Sequence, residues 1–389
     1  MQIQISQNIK YIGVDDTTIE LFENQYPVPE GVSYNSYVIL DKMVAVMDTV
    51  DKRGQLEWEE KLLRVLNGRT VDFLIIHHME PDHAGSMARL VELFPEMILV
   101  GNAKALAMLP QFFELPLEVH TLTVKEGDRL ALGEHTLHFY MAPMVHWPEV
   151  MVSYESKEQV LFSADAFGKF GALSLTEEVG WACEARRYYF NIVGKYGAAV
   201  QSLLKKIEGL NIQCICPLHG PVIREGLKNY VNLYKIWSSY QPESQGVVIV
   251  YGSFHGNTEH VAMKLAQQLQ NKGVRFRIHD LAREDMSEII EDAFRYDRLV
   301  LAAPSCDGGV FPRMQDFLHH LQNKAYQNRQ VALIENGSWS LCAAKTMRSI
   351  LETMKDIQIL EPVVTIHSTW KESDAYFLDQ LVEKLVECR

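Results

Sequence analysis

The sequence predicts a mixed α/β protein of two domains, an αββα sandwich followed by a doubly wound, five-stranded parallel sheet. Three observations support this. The chain has 389 residues, and domains usually have roughly 100–200 residues. Its first half contains many short apolar runs and paired strand-like stretches. Its second half alternates regularly between strand-like and helical segments, which indicates right-handed crossovers between parallel strands.

The first half combines strands with a few helices. Apolar runs bounded by Gly, Asp, Asn or Pro predict strands within Tyr37–Met47, Val71–Ile76 and Met97–Val100. Helical periodicity covers Leu56–Leu66 and Met87–Leu93. Further strands are expected at Arg129–Leu132, Leu137–Met141, Met151–Tyr154, Gln159–Ser163 and Gln213–Pro217. We therefore expect two packed sheets with helices outside.

A polar stretch at Ser238–Gly246 is the predicted linker, which gives domains of residues 1–244 and 245–389. The strands expected after it are Val247–Tyr251, Arg275–Asp280, Leu299–Ala303, Gln330–Glu335 and Glu361–Ile366. Five parallel strands alternating with helices suit a nucleotide-binding sheet with ligands at the carboxyl ends of its strands.

Composition limits the classes of partner. The formal net charge is −13, and no run rich in Lys or Arg appears, so nucleic acid is not an expected partner. Six cysteines in a chain of this length suit a reducing compartment. The first residues do not form a secretory signal, and no apolar run approaches the ~20 residues of a membrane span. We therefore expect a cytoplasmic protein that does not enter membranes.

The sharpest local motif is His78-Met79-Glu80-Pro81-Asp82-His83, directly after a predicted buried strand. Three further candidates, His146, Asp165 and His219, also follow predicted strands. Ligands at the ends of several strands of a sheet can converge on one point. Four His, one Glu and two Asp are too many for one tetrahedral ion and suit two ions. Imidazole and carboxylate without thiolate favour iron or manganese over structural zinc.

Other interpretations of the single residues stay open. Asp165 alone could be a helix cap or a turn residue, and His219, which precedes Gly220-Pro221, could belong to a turn. A lone buried histidine is usually a hydrogen-bonded core residue. We expect such structural or surface roles for His77, His120 and His135.

Three loops in the second half are typical of a flavin site. The first follows a strand and opens a helix, where backbone N–H groups can hold a phosphate; its residues are Ser253, Phe254, His255, Gly256, Asn257 and Thr258. The second contains Pro304, Ser305, Cys306, Asp307 and Gly308, and the third contains Asn336, Gly337, Ser338 and Trp339. Trp339 could stack on the flavin ring. The alternatives are a plain capped turn in the first loop and a Trp339 that packs against a loop.

The stretches SYNSY at residues 33–37, HHMEPDHAGS, MVHWPE and FSADAFGKFGAL resemble the flavodiiron proteins, within the metallo-β-lactamase superfamily, over essentially the whole chain. Glu80 stands where the hydrolases of that superfamily typically carry His. The resemblance implies a metallo-β-lactamase-like domain followed by a flavodoxin-like domain. The third loop departs from the family's Gly-Ser-Tyr-Gly-Trp, and His255 is also unusual, which leaves single flavin contacts open.

The resemblance also implies the cofactors and their ligands. One iron would be held by His78, Glu80 and His146, and the other by Asp82, His83 and His219. Asp165 and a solvent-derived oxygen would bridge the two irons, and FMN would occupy the second domain. Tyr26 and Trp147 are hypothesised to lie beside the irons, where Tyr26 could donate a proton or a hydrogen bond to substrate.

The activity implied is reduction of O₂ to water, of NO to N₂O, or of both. The sequence does not decide between the two substrates. The expected electron donor is a separate rubredoxin-like protein or a reductase, because no C-terminal Cys-x-x-Cys pair is present. A head-to-tail homodimer, or a dimer of dimers, would bring FMN of one protomer near the irons of another. Two alternatives are a metal-dependent hydrolase fused to a flavodoxin, and an electron carrier or redox sensor with a degenerate metal domain.

Overall fold

A computed structural model describes residues 5–116, 118–176 and 180–387. The chain forms two compact units. The first contains the described residues up to Tyr189 together with Ala198–Lys235, and the second contains Phe190–Gly197 together with the described residues from Ile236 onward. The domain boundary at 244/245 stays a prediction. Within the described ranges, no helix is long and apolar enough to cross a bilayer.

Two sheets form the first unit. Within the described residues, one sheet has the strand order Ile9–Tyr11, Tyr37–Leu40, Val44–Met47, Phe73–Ile75, Ile98–Gly101 and His120–Thr123. The other has the order Arg129–Ala131, Thr136–Met141, Met151–Glu155, Val160–Phe162 and Cys214–Cys216. Apolar side chains of both sheets, among them Ile75 and Phe139, share one core. The predicted αββα sandwich is confirmed.

Smaller elements complete this unit. Val14–Asp16 pairs with Val32–Tyr34, and Leu21–Phe22 pairs with Tyr26–Pro27, both antiparallel. Its helices lie at Gln55–Leu66, Pro81–Ala84, Met87–Leu93, Ala103–Phe112, Trp181–Tyr188, Gly197–Ile207 and Leu227–Ser238. A short 3₁₀ turn covers Lys52–Gly54. The π-helical turn Tyr189–Val193 and the 3₁₀ turn Gly194–Tyr196 lie almost entirely in the segment Phe190–Gly197, which belongs to the second unit.

The run Tyr37–Met47 is a hairpin and not one strand, because the polar residues Asp41 and Lys42 form its turn. Sequence patterning also missed His120–Thr123, whose side chains are all exposed and so lack an apolar–polar alternation. The helix Ala103–Phe112 was missed as well. It is capped by Asn102, whose side-chain oxygen accepts hydrogen bonds from the N–H groups of Lys104 and Ala105.

The second unit contains the doubly wound sheet. Its parallel strands lie in the order Phe276–Asp280, Ser244–Tyr251, Tyr296–Cys306, Arg329–Asn336 and Ile357–Ile366, and the short strand Gly309–Val310 pairs with the third of these. Numbered along the chain, the five parallel strands stand in the order 2-1-3-4-5, which is the flavodoxin order. The predicted fold class is confirmed for this unit also.

Helices cover the faces of this sheet at Asn257–Asn271, Met286–Arg295, Pro312–Asn323, Ala343–Leu351 and Ala375–Glu387, with a 3₁₀ turn at Glu372–Asp374. Four of the five parallel strands are longer than predicted, whereas Phe276–Asp280 begins one residue later than expected. Tyr296–Cys306, for example, begins with the polar residues Asp297 and Arg298, which the apolar pattern excluded. Because all the parallel strands end at one edge, the three predicted flavin loops lie at that edge.

The Leu265→Ala substitution tests the packing of this unit. Leu265 is fully buried among residues of helix Asn257–Asn271 and the sheet. We expect a loss of about 2–5 kcal/mol in the free energy of unfolding, because the substitution leaves a cavity. Urea unfolding followed by tryptophan fluorescence, to which Trp370 in contact with the same core contributes, measures it. Met263→Ala, on the exposed face of this helix, is the control, and equal effects of the two variants would contradict the assigned core.

Candidate functional site

Seven predicted ligands converge at one edge of the first unit. His78, Asp165 and His219 each stand three positions after the last residue of a strand, namely after Ile75, Phe162 and Cys216. His146 lies in the loop that follows Thr136–Met141. Glu80, Asp82 and His83 complete the set, and all seven are buried. A shared offset from neighbouring strand ends explains how residues far apart in sequence meet.

Pro81 makes the ligands on its two sides in the motif His78–His83 point in different directions. Pro81 occupies the first position of the helix Pro81–Ala84, where its missing N–H costs nothing. Glu80 precedes the helix in an extended conformation, and its carbonyl accepts the N–H groups of His83 and Ala84. Glu80 therefore faces one group of ligands, whereas Asp82 and His83 face the other.

The first group contains His78, Glu80, His146 and Asp165. The Nε2 atoms of His78 and His146 each lie 3.0 Å from Glu80 Oε2. Asp165 Oδ2 lies 3.1 Å from His146 Nε2 and 3.4 Å from His78 Nε2. Four donor atoms thus face one point.

The second group contains Asp82, His83 and His219. Asp82 Oδ2 lies 3.3 Å from His83 Nε2 and 3.2 Å from His219 Nε2. The other oxygen of Asp165, Oδ1, lies 3.1 Å from His83 Nε2 and 3.8 Å from His219 Nε2. The two oxygens of Asp165 therefore face different groups, as expected of a bridging carboxylate.

The spacing and the polar atoms both fit metal ions. Donor atoms about 2.1 Å from an octahedral ion lie about 3.0 Å apart, close to the separations found here. Within the described residues, both oxygens of Asp82 and Asp165, both ring nitrogens of His83 and Nε2 of His219 are buried without a hydrogen-bond partner. Burial of carboxylates without partners is costly, and cations would offset that cost.

The charges in the two groups perturb one another. Burial raises the pKa of Glu80, but hydrogen bonds with His146 and His78 outweigh burial and lower it. Burial lowers the pKa of His146, but hydrogen bonds and charge from Asp165 and Glu80 raise it to about 9. The pKa of Asp165 is lowered, against burial, mainly by the charge of His83. Without a metal the carboxylates therefore favour protonated imidazoles, whereas a bound cation takes neutral imidazole and ionised carboxylate.

Neighbouring groups orient two of the ligands. Glu149, which is buried, lies 2.8 Å from His78 Nδ1 through Oε1, and the same oxygen accepts the Met79 N–H at 2.9 Å. The carbonyl of Ser33 lies 2.7 Å from His219 Nδ1. Such contacts fix the ring orientation and leave Nε2 for a metal. Sequence reasoning missed Glu149, although its place in MVHWPE could have indicated it.

The other histidines have structural surroundings. His77 is buried, with Nδ1 at 2.6 Å from Asp48 Oδ2 and Nε2 at 2.8 Å from Ser153 Oγ. His135 lies between Asp41 and Glu158. His120 is exposed on a strand. These positions agree with the non-catalytic roles expected from the sequence.

Aromatic residues surround the ligands. The ring of Trp147 lies edge-on to His78, with centroids 5.1 Å apart. Tyr26 is half-buried near Phe170, and burial together with the charge of Glu23 raises its pKa to about 12. The roles of Tyr26 and Trp147 stay predictions.

Three aromatic or acidic neighbours of the ligands were not predicted. The rings of Phe22 and Tyr188 lie 5.4 and 5.6 Å from that of His219. Burial and the charge of Glu80 raise the pKa of Glu23 to about 7.

The first flavin loop lies between strand Ser244–Tyr251 and helix Asn257–Asn271. Gly256 has a φ of +83° and offers no side-chain cap, so the helix N-terminus is left to other acceptors. Ser253 Oγ is buried and has no hydrogen-bond partner among the described residues. Phe254 and His255 are exposed, Asn257 is half-buried and Thr258 is buried. An unpaired hydroxyl at a helix N-terminus fits a phosphate.

Two residues predicted to contact flavin, one in the second loop and one in the third, hydrogen-bond to neighbouring segments of the chain. Ser305 Oγ accepts the N–H groups of Cys342 and Ala343 at 2.9 and 3.1 Å. The side-chain amide of Asn336 exchanges two hydrogen bonds with the backbone of Ser368. These two side chains thus hold the loops in place, whatever contact they make with a ligand.

The remaining residues of these loops stand around the same edge. Pro304 is buried, Cys306 and Gly337 are half-buried, and Asp307, Gly308 and Ser338 are exposed. Trp339 is 82% exposed, so most of its ring surface is available to a planar ligand. This edge of the sheet therefore combines a phosphate-type donor set with an open aromatic ring, which fits FMN.

Comparisons with known proteins agree with both halves. Residues 32–220 match the family model of the ODP family β-lactamases, and residues 249–374 match that of the flavodoxins. The anaerobic nitric oxide reductase flavorubredoxin of Pectobacterium carotovorum is 28% identical over 354 residues, which cover 87% of this chain and 69% of that protein.

Solved structures show the same fold over the whole length. The rubredoxin oxygen:oxidoreductase of Desulfovibrio gigas has a TM-score of 0.91 at 24% identity, covering 100% of this chain and 98% of that one. The flavodiiron protein of Giardia intestinalis also has a TM-score of 0.91, at 21% identity, covering 100% and 95%. The chain thus joins a metallo-β-lactamase-like domain to a flavodoxin domain. It has the fold of the flavodiiron proteins and resembles a flavorubredoxin in sequence.

The Glu149→Gln substitution tests the metal centre. The amide no longer carries the charge that favours a protonated Nδ1 on His78. We expect roughly 10–100-fold weaker metal binding, as for other groups that orient metal ligands. Titration with Fe(II) in competition with a chelator measures the affinity. Glu96→Gln, an exposed change in the same unit, is the control, and wild-type affinity in Glu149→Gln would exclude this role.

The Ser253→Ala substitution tests the phosphate site. A hydrogen bond to a charged group contributes about 1.5–3 kcal/mol, so FMN affinity should fall roughly 10–100-fold. Riboflavin lacks the phosphate, and its affinity should not change. Fluorescence quenching of each flavin measures both values. An equal loss for FMN and riboflavin would show that the substitution disturbs the loop and not a phosphate contact.

Proposed function

We propose that this protein is an oxidoreductase that reduces O₂ to water, NO to N₂O, or both, at a pair of non-haem irons, with electrons delivered through FMN. The observation that supports this most is Asp165, whose two oxygens face two separate groups of imidazole and carboxylate donors. A hydrolytic zinc pair is the alternative. Glu80 argues against it, because a carboxylate in place of an imidazole better suits iron in its oxidised state.

Each residue of the centre would have a defined task. His78, Glu80 and His146 would hold one iron, and Asp82, His83 and His219 the other, with Asp165 bridging. Three carboxylates supply negative charge that offsets part of the charge of two cations. When bound, the irons and FMN supply the redox chemistry, and the protein supplies position and a dry environment.

The surrounding side chains limit access to the centre. Phe22 lies against His219, and Trp147 lies against His78. These rings place aromatic surface beside one imidazole of each group. Tyr26 and Trp147 would act on substrate or ligands from these positions.

FMN would bind through its phosphate at Ser253–Thr258 and through its ring at the second and third loops, with Trp339 against it. The electrons would come from a separate rubredoxin-like protein or reductase. We propose a head-to-tail homodimer, alone or within a dimer of dimers, in the cytoplasm. Size-exclusion chromatography with light scattering tests the oligomeric state.

One preparation of known iron and FMN content tests the function. The protein is reduced without oxygen, and its consumption of O₂ and of NO is then compared, alongside a hydrolase assay. We expect reduction of at least one gas and no hydrolysis. Asp165→Asn should abolish turnover and lower the iron content, whereas Asp356→Asn, an exposed change, should not. Hydrolysis by a zinc-loaded protein that consumes neither gas would overturn the proposal.

A further inference from the structure

Two cysteines on one strand bring their thiols together in the core of the first unit. Cys214 and Cys216 are the first and last residues of their strand, and residues two apart on a strand point to the same face. Their sulfur atoms lie 3.9 Å apart. Both side chains are buried and belong to the apolar core that the two sheets share. Neither thiol belongs to the two groups of donor atoms at the proposed iron centre.

The strand keeps the two cysteines too far apart for a disulfide. Residues two apart on a strand are separated by about 6.6 Å, and their Cβ atoms, which point the same way, are about as far apart. A disulfide needs Cβ atoms about 3.8 Å apart. Because the strand pairs with Val160–Phe162 on one side and with Ile223 on the other, it would have to bend out of both pairings to form that bond.

The separation of the sulfurs suits a shared metal ion instead. A metal–thiolate bond is about 2.3 Å long, so two sulfurs on one ion lie from about 3.8 Å apart at a tetrahedral angle to about 4.6 Å apart in a line. The 3.9 Å between Cys214 Sγ and Cys216 Sγ falls within that range. An ion could therefore bind both sulfurs without any movement of the strand.

Arg224 places a positive charge beside the pair. Ile215 and Ile223 exchange both backbone hydrogen bonds of an antiparallel pair, at 2.8 and 2.9 Å. Continuing this pairing by one residue places Arg224 opposite Cys214, on the face that carries the thiols. The guanidinium of Arg224 also donates from Nη2 to the carbonyl of Ile5 at 2.5 Å, and Ile5 packs in the same core as both thiols.

The ligand number and the charge favour a monovalent soft ion. Structural zinc takes four ligands, and among the described residues the groups of three or more possible ligands contain neither cysteine. Thiolates select Cu(I), and two thiolates are enough to bind it. Binding would replace two thiol protons with one Cu(I) and leave one negative charge, which the guanidinium of Arg224 offsets.

We propose that Cys214 and Cys216 form a further metal site, separate from the proposed irons, that binds one Cu(I) or similar soft monovalent ion between their thiolates. Local opening of the pairing with Ile223 would let the ion enter. The site consists of side chains of the first unit alone, so it goes beyond the proposed function and does not depend on it.

Anaerobic titration with Cu(I) in competition with bicinchoninate tests the proposal on the iron- and FMN-loaded protein. We expect one Cu(I) per chain, with thiolate-to-copper absorption in the ultraviolet. Cys214→Ala and Cys216→Ala should each bind Cu(I) at least about 100-fold more weakly, because loss of a ligand exceeds the 10–100-fold effect of losing a ligand's neighbour. Both should keep the iron content of the wild type. Two controls, Cys183→Ala at an exposed thiol and the double variant Cys306→Ala, Cys342→Ala, should bind Cu(I) as the wild type does.

The charge is tested without any change in the core. Arg224→Gln should weaken Cu(I) binding roughly two- to fivefold, as for other exposed charge pairs. Lys228→Gln removes a charge from an exposed position of the same segment and is the matched control. Equal affinities in these two variants would show that Arg224 does not act on the ion.

Other results would overturn the site itself. Fewer than one Cu(I) per chain, or wild-type affinity in Cys214→Ala, would show that the two cysteines only fill the core. Loss of Cu(I) from the double variant Cys306→Ala, Cys342→Ala would place the ion in the second unit. Zinc binding that depends on Cys214 and Cys216 would contradict a monovalent ion. Failure to reduce either O₂ or NO would overturn the proposed function alone, because Cu(I) binding is measured without turnover.

Discussion

The carboxylate of Asp165 is the point on which the metal centre depends, because each of its oxygens faces a different group of ligands. Its position follows from the strand Val160–Phe162, which pairs in parallel with Cys214–Cys216 and so brings His219 to the same edge. Asp165 is buried with Glu80 and Asp82. Burying three carboxylates is costly without compensating charge. Protonated imidazoles can supply that charge in the free protein, and two cations supply it when metal binds.

The same requirement explains the supporting contacts. A ligand whose carboxylate must face one of two nearby ions needs a fixed direction, and Pro81 provides it by starting a helix between Glu80 and Asp82. Glu149 and the carbonyl of Ser33 fix imidazole rings in the two groups. Phe22, on the hairpin formed by Leu21–Phe22 and Tyr26–Pro27, packs against His219. His78 and His219 are therefore constrained twice, once by a strand end and once by a neighbour.

The sequence predicted the two packed sheets of the first unit and the parallel sheet of the second, and it placed all seven ligand candidates after strands. This was possible because buried strands are apolar and the polar ligands that follow them interrupt the apolar pattern. It did not predict Phe22, whose contact with His219 is made only in the folded chain and whose two-residue strand is too short to show periodicity. Ser305 and Asn336 were predicted from their loops as flavin contacts, but the hydrogen bonds to Cys342 and Ser368 depend on where distant loops end. Which loop residues contact flavin therefore stays a prediction.

Two kinds of buried histidine differ in their hydrogen bonds, and this difference supports a metal centre more strongly than motif spacing does. His77 and His135 each have polar partners at both ring nitrogens, as buried polar groups normally do. His83 has none of hydrogen-bonding geometry among the described residues, although carboxylate oxygens lie within 3.3 Å of its Nε2. Donor atoms that lie this close together without hydrogen bonds are arranged to bind a metal ion between them. Ser253 Oγ in the second unit is likewise buried without a hydrogen-bond partner among the described residues, and there a phosphate would be the partner.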